Sequence, residues 1–570
     1  MAEIVEVDVA IVGSGLAGLR ASIEAARTSN GKLSVGVFTK TQVMRSHSVS
    51  AEGGTAAVLY VDEGDSFQSH AYDTVKGSDF LADQDAVDLF VRKAPEEILQ
   101  LERWGMPWAR REDGRIAQRS FGGQSYPRAC FAEDKVGFFE MSTLYDTALK
   151  WDNITFYPEW AVTSILVNDG RFAGLTAIEI KSGEFHAVKA KSCVMATGGA
   201  GRLYPFATYG YSSTPDGLVI AYRAGAALKD MEFVQFHPTG LVPSGILITE
   251  AARSEGGMLL NSRGERFLKR YAPEKMEMAP RDIVSRAMYT EILEGRGFEG
   301  PDGVKCLHLD LTQIGAEKVK TRLAGIREIC MKLAGIDPIN EPIPVRPVAH
   351  YFMGGIDTNI EGKTGIDGLW AAGEVACVSI NGANRLGSNS TTECLVWGAI
   401  TGRRAAEFAS KRDWVELPRD KVEREEKRIF DELLGKAPRE NPYEVRDELQ
   451  KTMESRCHIF RDEANLQTGL REVRTLRERL FRGVADSSRT YNTNLINVLE
   501  IEGMLEVSQI IIMSAVNRQE SRGAHARTDY PKRDDVNFLK HTLAYHTADG
   551  PRLEYISPTI TEYMPTERRY

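Results

Sequence analysis

VEVDVAIVGSGLAG, Val5 to Gly18, reads as a buried strand that runs into G-x-G-x-x-G and then into a helical pattern through Ala26. Each glycine has a physical reason. Gly13 permits the tight turn, Gly15 lets a pyrophosphate approach the backbone beside Ser14, and Gly18 lets the helix pack closely on the strand. The unpaired N–H groups and the dipole of the helix start favour an anion. With a strand before it and a helix after it, the motif implies a dinucleotide site. The second strand, Leu33 to Phe38, would ordinarily end in an acid that holds a ribose. Here it ends in Thr39-Lys40, a departure from the NAD pattern.

The next distinctive run is MRSHSVSAEGG, Met44 to Gly54. It sets His47 between Ser46 and Ser48 and closes on Gly53-Gly54, which would let backbone approach a flat ligand. Alone it reads as a surface loop; after a nucleotide unit, His47 is expected to face what that unit holds. Val87, Phe90, Val91, Ala94, Ile98 and Leu101 recur at helical spacing. Pro95 predicts a kink or two shorter helices, and Gly105 a stop. Phe121-Gly122-Gly123 is either an aromatic offered to a ligand or a core Phe over a turn. Ile154 to Ala187 alternates as strands, and Ser192 to Ala196 leads into Thr197-Gly198-Gly199. Asp216-Gly217 precedes a helix from Leu218 to Ala226.

Composition bounds the function. The chain has 570 residues, 42% hydrophobic and 26% charged, with a formal net charge of -9. That balance argues against nucleic acid as the main partner. No apolar run reaches the ~18 residues needed to span a bilayer. Ile4 to Val12 already reads as a strand, so no targeting segment is expected and the chain reads as cytosolic, bacterial or archaeal. Seven scattered cysteines without a C-x-x-C pair predict neither an iron–sulfur nor a zinc site here, and metal ligands are not expected.

These segments predict an α/β chain. A Rossmann-like FAD-binding domain is expected over residues 1–234 and 351–415, with an inserted α+β capping domain over 235–350. A C-terminal helical domain over 416–530 rests on Val445, Leu449, Met453, Cys457 and Phe460, then Leu495, Val498, Leu505 and Ile512. An irregular C-terminal tail is expected over 531–570.

MRSHSVSAEGG, YDTVKGSDFLADQD, FVQFHPTG, ILITEAARSEGG, PRD, PVRPVAHYFMGGID, NGANRLGSNS and ESRGAHARTDYPKRDD follow one another along the chain. On these motifs it resembles, over essentially its whole length, the flavoprotein subunit of succinate dehydrogenase and fumarate reductase. The resemblance implies FAD joined covalently through His47. Gly13, Ser14, Gly15, Gly18, Thr39, Lys40, Ser46, Ser48, Glu52, Gly53, Gly54, Asp216, Glu374, Ser390 and Thr391 would contribute to its site. It implies a dicarboxylate held by His237 and Thr249 at one end, by His350 and Arg385 at the other, with Phe121 beside it. Hydride would pass between the substrate and flavin N5. Arg281 would move the proton, with Glu250 and Arg253 as a relay. A guanidinium holds its proton far above neutral pH, so the alternative is that Arg281 only stabilises developing charge.

Electrons would leave through an iron–sulfur subunit to a membrane anchor and quinone, at the cytoplasmic face of the membrane. The resemblance implies that the position of Glu52 varies between carboxylate and amide, the carboxylate being commoner in fumarate reductases. A negative charge there would make flavin harder to reduce and favour fumarate reduction, while the direction is set by the quinone and the environment. L-aspartate oxidase and a soluble fumarate reductase are the competing readings. His47 speaks against the first, and the helical domain and basic tail against the second.

Overall fold

The computed structural model describes residues 3–434, 436, 441–480, 484 and 486–569. Its first layer is built on β1 (Glu3–Val12), in which Val9, Ala10 and Ile11 are wholly buried. A strand covered on both faces can be apolar throughout, and parallel pairing follows. β1 pairs in parallel with β2 (Val35–Thr39), which pairs with β3 (Ile154–Pro158). On its other side β1 meets β6 (Glu184–Met195), in register from Glu3↔His186 to Val12↔Met195. β6 changes partner along its length. Its first half closes an antiparallel meander with β4 (Trp160–Asn168) and β5 (Arg171–Glu179). Its last residues pair in parallel with Leu369–Ala371. That far-off strand completes the sheet where the glycine motif lies.

The motif turns into α1 (Leu16–Thr28). Gly13 has φ +107°, and a Cβ on it would come 2.2 Å from the Ala196 carbonyl oxygen. A Cβ on Gly18 would lie 1.9 Å from the Gly13 carbonyl oxygen. α1 also receives the helix Asn389–Ala409. A Cβ on Gly402 of that helix would come 2.2 Å from the Ala21 carbonyl oxygen, so two backbones are in contact. α2 (Gln84–Arg103) packs beside them. It runs through Pro95 as one helix and is not divided into two shorter ones. Val91, Ala94 and Ile98 on the two sides of the proline are all fully buried in one core, so packing outweighs the lost hydrogen bond.

The capping layer enters on β7 (Val234–Leu241) and leaves on β8 (Ile343–Phe352), which pair antiparallel from Val234↔Phe352 to Leu241↔Val345. Entry and exit are thus held together. Lys305–Asp310 and Met258–Leu260 extend this sheet, and α3 (Arg281–Leu293) lies on it, its Ser285 hydroxyl donating to the Phe236 carbonyl at 2.7 Å. The cap has its own apolar core, running from Leu241 through Met288 to Val345.

Beyond the Asn389–Ala409 helix (α4), the helical part contains α5 (Pro442–Arg456), α6 (Glu463–Leu480) and α7 (Thr493–Asn517). Val445, Leu449, Met453, Cys457, Leu495, Val498, Leu505 and Ile512 are buried, as their spacing predicts. The tail departs from expectation. Instead of being irregular, it folds β9 (His541–Thr547) onto β10 (Gly550–Ile556), and β9 pairs with Leu228–Lys229 of the main body. Ala548-Asp549 before Gly550 (φ +112°) supplies the tight turn, a signal present in the sequence. Residues 557–569 contain no helix or strand; Tyr570 lies outside the described residues. No helix among the described residues is long and apolar enough to cross a membrane. All seven cysteines are free.

The Gly13–Gly18 contact can be tested directly. Gly18→Ala must push helix from turn and is expected to destabilise the fold by about 1–3 kcal/mol. Urea unfolding checks this; an unchanged midpoint contradicts the close approach.

Candidate active site

One cavity of about 610 Å³ runs from the glycine motif to the cap. Of the residues singled out in the sequence, all line it except Gly18, which is spent on packing, and Arg253.

At the nucleotide end, Ser14 donates to Thr39 Oγ1 at 3.0 Å, and the Leu16 N–H at the start of α1 donates to Ser48 Oγ at 3.2 Å. Any side chain on Gly15 would meet the Ser46 and Ser48 hydroxyls, at 2.9 and 3.0 Å. Lys40 is committed to three partners: Thr214 Oγ1 (2.9 Å), Asp216 Oδ2 (2.5 Å) and Glu500 Oε1 of α7 (2.5 Å). Burial alone would lower its pKa, but Asp216 and Glu500 raise it above the ordinary lysine value. The helical part therefore reaches the nucleotide end, which no local motif announced.

His47 sits in a short helical turn, His47–Ser50, and stacks on Tyr209 at 4.7 Å between ring centroids. Its Nδ1 is buried without a hydrogen-bond partner, and burial lowers its pKa to about 4. The imidazole is therefore neutral and has a nitrogen lone pair free to bond. Glu52 lies along the same loop with Oε2 unpartnered. Burial, then the charge of Asp134, raises its pKa to about 8 against the pull of Arg119. Arg119 instead grips the loop backbone, donating to Glu52 O at 2.7 Å and to Gly53 O at 2.6 Å. Phe121 packs on Gly53 and Gly387 and is 2% exposed, so it is a core residue and a cavity wall at once. Glu374 accepts from the Phe352 N–H at 2.9 Å and from the Tyr209 hydroxyl, and burial raises its pKa to about 7. Ser390 accepts from Arg385, whereas Thr391 donates to the Gly54 carbonyl and ties this loop down.

The cap end gathers donors. His237 is wholly buried, and its Nδ1 accepts the Thr239 backbone N–H at 3.2 Å. An accepting Nδ1 in a neutral ring leaves the proton on Nε2, and Nε2 is buried with no partner. Burial, then the charge of Arg281, holds its pKa well below the ordinary value. His350 lies 5.0 Å from that ring and shares a hydrogen bond with Thr208 Oγ1 at 2.9 Å; its pKa is lowered in the same way. Thr249 lines the same end. Arg385 lies over Tyr351 at 4.1 Å and donates to Ser390 Oγ at 2.7 Å; its Nε is unpartnered. Burial, then Arg281, lowers its pKa to about 10.

Arg281 opens α3 and donates from Nε to Glu250 Oε2 at 3.0 Å. Glu250 also accepts the Gly122 N–H and lies 3.5 Å from Arg253 Nη2. Burial works to raise the Glu250 pKa; Arg253 and Arg281 outweigh it, and the group is held below the usual carboxylate value. Arg281 is thus hydrogen-bonded to Glu250, and Glu250 is ion-paired with Arg253, which donates on to the Glu277 carbonyl.

Gln235 was missed in the sequence. Its Oε1 accepts from both Arg281 Nη1 (3.1 Å) and Arg385 Nη2 (3.2 Å), and its amide donates to Asn384 and to the Arg385 carbonyl. It stands two residues before His237 in FVQFHPTG, a spacing that could have drawn attention to it. Tyr209 lies in no motif and could not have been found. The residues present fit a flavin dinucleotide: the glycine cradles exclude side chains, and Thr197 Oγ1, Ser388 Oγ, His47 Nδ1 and Glu52 Oε2 are buried polar atoms lacking protein partners.

Comparison with known proteins accounts for nearly the whole chain. Residues 8–391 match the FAD binding domain family, and residues 446–570 match the fumarate reductase flavoprotein C-term family. The fumarate reductase flavoprotein subunit of Mycobacterium tuberculosis is 48% identical, covering 99% of both chains. The succinate dehydrogenase flavoprotein subunit of Rickettsia conorii is 42% identical over 97% of this chain and 95% of its own. A solved variant of the Escherichia coli quinol fumarate reductase flavoprotein superposes with a TM-score of 0.96 at 43% identity, covering 99% of each chain.

Glu52 carries a pH consequence. Its folded pKa of about 8 stands above the ordinary 4.5, so the folded form keeps a proton that the unfolded chain has lost. Its contribution to stability is full below pH 4.5 and falls away as pH rises to about 8. Glu52→Gln removes this loss, so the variant should gain stability relative to the parent between pH 5 and pH 8.5. Urea unfolding at the two pH values checks it; parallel profiles contradict it.

Proposed function

We propose, from the fact that this chain belongs to the fumarate reductase and succinate dehydrogenase flavoprotein subunits, that it interconverts succinate and fumarate at the cap end of its cavity. FAD is its cofactor, and we assign the covalent attachment to His47. The observation that carries the reading is the convergence of unpartnered donors: His237 Nε2 and Arg385 Nε, with His350 and Thr249 beside them, close to the Arg281–Glu250–Arg253 chain.

The side chains divide the work. His237, neutral with its proton on Nε2, donates to one carboxylate, with Thr249 alongside. Arg385 and His350 take the other, the guanidinium offering a charged donor to the carboxylate plane. FAD, when bound, supplies the hydride chemistry at its ring. Arg281 gives the proton to the opposite carbon during fumarate reduction and takes it during succinate oxidation. Glu250, bonded to Arg281 Nε, stabilises the guanidinium on its return to charge, and Arg253, ion-paired with Glu250, is the next group of the relay. Gln235 sets the spacing between the proton donor and the clamp. Glu52 biases the direction less than a permanent charge would: with a pKa of about 8 its carboxyl is mostly neutral at pH 7, and its charge grows on the alkaline side.

Electrons then pass to an iron–sulfur subunit and through it to quinone, with the pair held at the membrane by an anchor. The E. coli relative is named a quinol fumarate reductase, which supports this assembly. The cytoplasmic face is the side we assign.

Two measurements test the reading. Arg281→Lys should keep dicarboxylate binding while kcat falls about 100–10,000-fold; near-parental turnover refutes the proton role. His47→Ser should still retain yellow flavin in the native protein, yet release it on acid precipitation. Flavin that stays in the acid pellet of that variant refutes His47 as the attachment point.

A further inference from the structure

Three of the motifs contain residues that the reaction does not use: Asp79 in KGSDF, Asp282 in PRD, and Arg522 to Arg533 in the run before the C-terminal hairpin. The fold brings all three to one place, together with Arg568 near the end of the chain.

Asp79 belongs to the FAD-binding layer. Its carboxylate accepts the Gly523 N–H at 2.8 Å and pairs with Arg533 at 2.7 Å, while its carbonyl accepts from Arg522 at 2.9 Å. Asp282 belongs to the cap, in the first turn of α3 and next to Arg281. Its carboxylate is wholly buried. Arg568 bridges the two. Its guanidinium meets Asp282 through Nη1 at 2.9 Å and Nη2 at 3.1 Å, and Asp79 through Nη1 at 3.2 Å. Arg286, one turn along α3, pairs with Asp282 at 3.1 Å and donates to the Gly523 carbonyl. The segment bearing Arg568 is itself tied down, because Arg533 donates to the Thr566 carbonyl at 2.8 Å.

Without Arg568, two carboxylates from different layers would face one another at the start of the helix that carries Arg281. Like charges in one buried site repel strongly. Burial and the Asp79 charge both work to raise the pKa of Asp282, and Arg568 and Arg286 overcome them. We propose that Arg568 is a positioning residue: it binds the cap helix to the FAD-binding layer through Asp282 and Asp79, and so fixes where Arg281 stands. This rests on the reading of Arg281 as the proton donor.

The test uses the flavin-loaded complex purified whole. Arg568→Ala should lower kcat about 10–100-fold, the scale expected for misplacing a reacting group by about 1 Å, with flavin content and dicarboxylate KM changed far less. Arg568→Lys should recover part of the loss. The decisive arm is Arg568→Ala with Asp282→Asn, which removes the repulsion and should restore kcat to within about threefold of the parent. Acidification should likewise help the single variant more than the parent. Parental kcat in Arg568→Ala overturns the proposal, as does a double variant no better than the single one. The double variant stands alone if the single one does not assemble; failure of both assigns the bridge to stability only and also overturns it. Arg281→Lys is assayed alongside. Normal turnover there refutes the proton-donor reading, whereas loss there with a normal Arg568→Ala refutes only the positioning role.

Discussion

Two guanidinium groups share one amide oxygen at the cap end of the cavity. Arg281 and Arg385 both donate to Gln235 Oε1, although like charges so close in a buried place repel. Arg253 adds a third cation. Against these three stands Glu250, whose pKa is held low, while burial keeps His237 and His350 neutral and raises the Glu374 pKa to about 7, leaving that group only partly charged at neutral pH. The site is thus rich in positive charge, which suits the dicarboxylate proposed for it. The same cluster of cations thus serves both the substrate and the proton path proposed above.

That charge distribution has to be held by elements from distant parts of the chain. Gln235 and His237 come from β7, which leads into the cap, and His350 from β8, which leads out. Because these strands pair with each other, the two histidines are held together by the cap's own sheet. Arg385 comes from the loop before α4, whose glycines rest on α1. The proposed clamp is therefore divided between the two layers, and its geometry depends on how they meet.

Much of this was legible in the chain. The glycine motif declared its strand and helix, and the helical periodicities marked the buried faces. The histidines and arginines of the site stood in recognisable runs. What could not be read were contacts made only by the fold: Tyr209 against His47, Glu500 reaching Lys40, and one amide serving two arginines. That one helix continues past Pro95, and not two, was hidden for the same reason, since its packing lies elsewhere in the chain. The C-terminal hairpin is a different kind of miss. Its turn was present at Asp549-Gly550, but charged neighbours masked a short strand pair whose partner lies some 300 residues earlier.

The completion of the sheet by Leu369–Ala371 sets an order on synthesis. The glycine motif leaves the ribosome early, but the strand that finishes its sheet and the helix that backs α1 are made only after residue 368. Glu500, which fixes Lys40, comes later still. At about 5–20 residues per second, the nascent first strand waits on the order of tens of seconds for its neighbours. Stable loading of cofactor is therefore an event of the finished chain, and the half-made polypeptide has to be kept from aggregating in the meantime.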